Sequence, residues 1–122
     1  MNYTQKVAYD WLTSWSYGKG RVSELTPTII EYFSHYKPKT KVVLYRAERY
    51  GYDISRATSS KYVSFTHQKG MAQFIVDSWE QLGKKGRIIR RTVHPKDILV
   101  DVTKLPFAKD FVDEVIVKRS VL

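Results

Sequence analysis

At 122 residues the chain has room for one domain with a real core and too few residues for two. Hydrophobic residues make up 43% and aromatic residues 14%, which excludes a disordered chain, and nine tyrosines suit half-buried strands and binding grooves equally well. The 21 Lys and Arg against 12 Asp and Glu leave a charge of +9, which favours polyanionic partners, while the absence of cysteine excludes disulfides and thiolate zinc sites.

In chain order, Val7, Ala8, Trp11, Leu12 and Trp15 recur at helical spacing and predict a helix over 4–15, stopped by Gly18 and Gly20. Thr26-Pro27 opens a second helix, because threonine caps well and proline is tolerated at the first helical position. Its expected buried face is Ile29, Ile30 and Phe33, and Pro38 lies beyond its end. Val42-Val43-Leu44-Tyr45 is a strand with Arg46 directly after it. A polar stretch from Tyr50 to Lys61, with Gly51 and Ser59-Ser60, reads as a long loop.

Tyr62 to Thr66 alternates as a second strand and runs straight into a helix over 68–82, which Thr66 is placed to cap. Met71, Ala72, Ile75, Trp79 and Leu82 are that helix's expected stripe, and Gly83-Lys84-Lys85-Gly86 ends it. Strands follow over 87–93, 97–102 and 114–118, with His94-Pro95-Lys96 as a turn and 103–112 as a loop. Helices first, then strands with one inserted helix, argue for an α+β fold in a single domain spanning 1–122. No segment is long and apolar enough to cross a membrane, and the amino terminus lacks a signal peptide's pattern, so a cytoplasmic protein is expected.

Polar groups that carry chemistry stand at the strand ends. Glu114 opens the β-branched run Val115-Ile116-Val117, where a carboxylate is costly to bury without a partner. Arg46 ends the first strand, and Ser64-Phe65-Thr66 ends the second. Singly, each has a plain structural use: Arg46 in a surface ion pair, Thr66 as a cap, Glu114 facing water. His35, His67 and His94 are dispersed, so no metal site is expected. Gly83 to Gly86 lacks the rest of a phosphate-binding loop, and Ser59-Ser60 has no histidine–acid pattern for a hydrolase.

Together, Tyr45-Arg46, Ser64-Phe65-Thr66 before Met71-Ala72-Gln73-Phe74, and Glu114-Val115-Ile116-Val117 resemble the ADP-ribosyltransferase superfamily in its Arg–Ser–Glu branch, which includes bacterial toxins and bacteriophage enzymes. The resemblance covers Val42 to Val117 and includes the strand Asp97 to Val102. It implies a small ADP-ribosyltransferase-like fold, with N-terminal helices before a split, mostly antiparallel β core carrying one inserted helix. The implied activity is cleavage of the nicotinamide–ribose bond of NAD⁺ and mono-ADP-ribosyl transfer to a macromolecular acceptor, in the host cytoplasm if the protein is phage-encoded.

In that reading Glu114 is catalytic, while Tyr45, Arg46, Ser64 and Thr66 hold NAD⁺. Phe65 and Thr66 replace the family's threonine and serine, and Val112 stands where many members carry the Glu or Gln that engages an arginine acceptor. Phe107, Phe111 and Val112 are therefore the expected acceptor-recognition residues, the two rings stacking on a base or packing on a protein. With the charge, this points to nucleic acid or an acidic, nucleic-acid-associated protein as acceptor. Lys84, Lys85, Arg87, Arg90 and Arg91 form the expected nucleic-acid-facing ridge, part of it a solvated strand edge. The alternative is a basic nucleic-acid- or host-protein-binding module that keeps the fold without catalysis.

Overall fold

The computed structural model describes residues 1–17, 24–51 and 61–122. The helix stop expected at Gly18 and Gly20, and Ser59-Ser60 with most of the 50–61 loop, lie outside the described residues. Helix α1 spans Tyr3–Tyr17. It starts from a reciprocal cap, in which Gln5 N donates to Asn2 Oδ1 at 2.8 Å and Asn2 N to Gln5 Oε1 at 3.0 Å. Helix α2, Pro27–Ser34, opens as the Thr26-Pro27 pair predicts, and the Thr26 hydroxyl accepts from Ile29 N at 3.3 Å. Ile29 and Phe33, one turn apart, are buried, whereas Ile30 points to solvent at 42% exposure and is not part of the buried face. One residue is a rotation of about 100° on a helix, which carries residue 30 off that face.

Among the described residues five strands follow with one helix inserted: β1 Val42–Arg49, β2 Tyr62–Phe65, α3 Lys69–Gln81, β3 Gly86–Val93, β4 Ile98–Asp101 and β5 Val115–Lys118. The result is an α+β fold with a split antiparallel core. One sheet is β1–β3, the other β2–β5–β4, and every pairing is antiparallel. Among the described residues one bridge stitches the sheets, in which Tyr45 N donates to Thr66 O at 2.9 Å and Thr66 N to Tyr45 O at 2.8 Å. Beyond His94, the chain between β3 and β4 and between β4 and β5 is made largely of short 3-10 turns.

The β2–β5–β4 sheet is covered on both faces. On one face Ile116 and Val100 pack with Ala8, Trp11, Ile29 and Phe33 of α1 and α2. On the other, Val63, Phe65, Val115 and Val117 meet Leu44, Ile89 and Val93 of the β1–β3 sheet. Each buried Val, Leu, Ile and Phe side chain among these contributes roughly 1.5–3 kcal/mol by leaving water. The unbroken apolar run of β5 is the sequence trace of a strand buried on both sides.

Helix α3 closes the stack on the outer face of β1–β3. Its buried stripe is Ala72 and Val76, narrower than the sequence implies, with Ile75 and Leu82 left exposed. A sheet of two strands can cover only a narrow strip of a helix. Trp79 anchors the helix against Gly86, where an added Cβ would lie 2.7 Å from the indole Cε3 and 2.9 Å from Glu48 O.

Gly86→Ala is therefore expected to destabilise the protein by about 1–3 kcal/mol through overpacking. Gly70→Ala, whose Cβ would meet nothing within 4 Å, should be neutral or slightly stabilising. Thermal denaturation of the two variants beside the parent protein checks both.

Candidate active site

Glu114 immediately precedes β5, and its carbonyl accepts from Val102 N at 2.9 Å. Alternation along the strand sends its side chain to the same face as Ile116, toward α1. There Oε1 accepts a hydrogen bond from Trp15 Nε1 at 2.7 Å, and the residue is only 6% exposed. Glu114 is thus not the solvated strand-edge charge of the plain structural reading. Its second carboxylate oxygen has no hydrogen-bond partner among the described residues.

Ser64 pairs directly with Ile116, so its side chain shares that face, on the strand next to Glu114. Arg46 comes from the other direction. It lies on the face of β1 that carries Leu44, and Nη1 reaches across to donate to Ser64 O at 2.9 Å. Its Nε is 3.8 Å from Glu48 Oε2. Arg46 therefore fixes the backbone of the serine strand, and among the described residues no ion pair joins it to Glu114. Tyr45 turns to the opposite face of β1, toward α3, with Arg90 directly across from it.

Thr66 does not cap α3. The N-cap is Gln68 and makes no side-chain cap bond; the Thr66 hydroxyl instead accepts from Gln68 N at 3.2 Å and donates to Asp113 Oδ1 at 3.2 Å. Asp113 also accepts from His67 N at 3.2 Å and from Gln68 Nε2 at 3.0 Å. One carboxylate thereby pins the whole turn from β2 into α3. A second carboxylate, Asp101, is 1% exposed. It accepts from Thr103 N at 3.1 Å and Thr103 Oγ1 at 2.6 Å, and its Oδ2 lies 2.8 Å from His67 Nε2. A half-exposed imidazole backed by a buried carboxylate at hydrogen-bond distance has a fixed ring orientation, which is the arrangement a proton-transfer group needs.

Trp15, His67, Asp101 and Asp113 are absent from the sequence-based site. Asp101 carried the same signal as Glu114, a carboxylate inside an apolar run, Ile98-Leu99-Val100-Asp101-Val102. Nothing in the sequence ties Trp15 to Glu114, 99 residues away.

The expected acceptor residues divide. Phe107 is 5% exposed, edge-on to Tyr9 at 5.1 Å, and its ring is not open to stack on a base. Phe111 is half-buried against Tyr9 and Phe107, while Val112 is 64% exposed. Of the basic ridge, Lys84, Lys85, Arg87 and Arg90 are exposed. Arg91 leaves it: pairing with Leu44 turns it to the inner face, where Nε and Nη2 donate to Val121 O at 3.2 Å and Leu122 O at 3.1 Å.

Among the described residues no group of three or more His, Asp or Glu could hold a metal ion, and no helix is long and apolar enough to cross a membrane. No protein-family model, curated protein or solved structure matches the chain.

Trp15→Phe keeps the aromatic packing and removes the donor to a buried carboxylate, so it should cost about 1–3 kcal/mol. In a double-mutant cycle with Glu114→Gln, measured by urea denaturation, the two effects should be less than additive.

Proposed function

We propose that the protein is a mono-ADP-ribosyltransferase that uses NAD⁺ as substrate and a macromolecule as acceptor. The observation that carries this reading is Glu114: a buried carboxylate, one oxygen held by Trp15 Nε1 at 2.7 Å, at the head of β5 and on the same sheet face as Ser64. The split antiparallel core with its inserted helix, and Arg46 crossing to the serine strand, support it further.

Cleaving the nicotinamide–ribose bond builds positive charge on the ribose, as in glycoside cleavage. Glu114 would stabilise that charge, and its second oxygen would accept from a ribose hydroxyl. The Trp15 bond keeps the carboxylate in one orientation, so little reorganisation accompanies charge development. Ser64 would hydrogen-bond the ribose, and Thr66, through Asp113, keeps the strand-to-helix turn rigid. The Arg46 guanidinium would pair with the pyrophosphate, to which its planar fork is suited. Val112, exposed and apolar, can neither donate nor accept a proton, which argues against ordinary arginine modification.

Incubation with NAD⁺ should release nicotinamide, and Glu114→Gln should lower that rate by on the order of 10²–10³ or more while the fold is retained. A well-folded Glu114→Gln protein with an unchanged rate would sink the assignment. If the parent protein releases no nicotinamide at all, the chain is instead a binding module. Arg46→Lys keeps the charge and loses the fork, so calorimetric titration should show weaker NAD⁺ binding; equal affinities would remove Arg46 from the site.

A further inference from the structure

We propose that the open groove between α3 and the outer face of β1–β3 binds single-stranded nucleic acid, seating its phosphates on Lys69 and Arg90 and a base on the Tyr45–Arg90 pair. For the acceptor's identity this rests on the transferase reading; the binding itself does not.

The groove encloses about 560 Å³, with Lys69, Gln73 and Glu80 on its helix side and Tyr45, Arg87 and Arg90 on its sheet side. Lys69 and Arg90 are exposed, and among the described residues no carboxylate pairs with either. Arg87 is different, its Nη2 lying 3.7 Å from Glu48 Oε1. Lys84 and Lys85, also exposed, continue the positive charge beyond Gly86. Among the described residues Glu80 is the one carboxylate in the lining, against Lys69, Arg87 and Arg90, in a protein already at +9.

Charge alone fits any polyanion; the floor distinguishes them. The β1–β3 register sets Tyr45 directly opposite Arg90 on the face toward α3. An aromatic ring beside a guanidinium offers two planar surfaces to a base, and Gln73 supplies an amide that both donates and accepts. Every base of an unpaired strand has a π-face for such a surface, whereas an acidic protein segment uses it only where it carries an aromatic residue. The groove's Lys69 end lies three residues after Thr66, whose backbone bridges Tyr45 and whose hydroxyl donates to Asp113.

The test is fluorescence anisotropy of labelled short oligouridylate and oligothymidylate, without NAD⁺, between about 50 and 200 mM salt. The parent protein should bind with a steep salt dependence. The double variant Lys69→Glu/Arg90→Glu should bind at least about tenfold more weakly and flatten the log–log salt slope by roughly 0.7 per lost phosphate contact. Lys39→Glu/Lys109→Glu makes the same charge change at exposed sites outside the groove lining and should weaken binding by less than about threefold.

Equal losses in the two variants would reduce the effect to net charge and overturn the groove assignment. Displacement by polyglutamate as efficiently as by unlabelled oligonucleotide would overturn the nucleic-acid assignment in favour of an acidic protein. Absence of oligonucleotide binding in a protein that releases nicotinamide overturns this inference and leaves the transferase standing. Oligonucleotide binding without nicotinamide release does the reverse.

Discussion

Glu114 is carried into the interior by its neighbours. Val115, Ile116 and Val117 are fully buried because β5 is the middle strand of a sheet covered on both faces, and the residue at its head cannot stay in water. An ionised carboxylate in that position needs a donor, and Trp15 supplies one at 2.7 Å from the far end of α1. The bond fixes more than a side chain. Trp11 stacks on Trp15 at 5.6 Å and meets Phe33 edge-on, so the aromatic core beneath α1 and α2 is in contact with the residue that orients the carboxylate.

Three carboxylates at the same end of the β2–β5–β4 sheet are used differently. Alternation sends Glu114 to the α1 face, while Asp113 accepts three hydrogen bonds from the turn that leads into α3. Asp101, opposite Val115 on β4, is saturated by Thr103 and His67. Asp113 and Asp101 spend their oxygens on the protein's own backbone and side chains. Glu114 keeps one oxygen without a partner among the described residues, which is why the proposed chemistry is assigned to it and not to its neighbours.

The β1–β3 sheet serves two environments at once. Its inner face carries Leu44, Ile89 and Val93 into the core, together with Arg46 and Arg91, whose long side chains reach backbone carbonyls there. Its outer face carries Tyr45 and Arg90 beneath α3. Because α3 rests on only two strands and is anchored by Trp79 on Gly86, much of its surface and the groove beside it remain open.

By itself the sequence determined the α+β class, the order of the elements, the Thr26 cap of α2 and the buried character of β5. These follow from local periodicity and local hydrogen bonding, which neighbouring residues settle among themselves. It also marked Glu114, because a carboxylate at the mouth of a β-branched run conflicts with its surroundings. The tertiary structure alone decided what resolves that conflict, since Trp15 and Glu114 meet only when α1 is laid across β5. The same holds for Asp101 and His67, and for Phe107, which the sequence-based reading assigned to acceptor recognition and which packing gave to the core. Arg90 and Arg91 are alike as residues, yet pairing sends one to the open groove and the other to the carbonyls of Val121 and Leu122. Strand alternation puts them on opposite faces, but only the second sheet and α3 decide which face is buried.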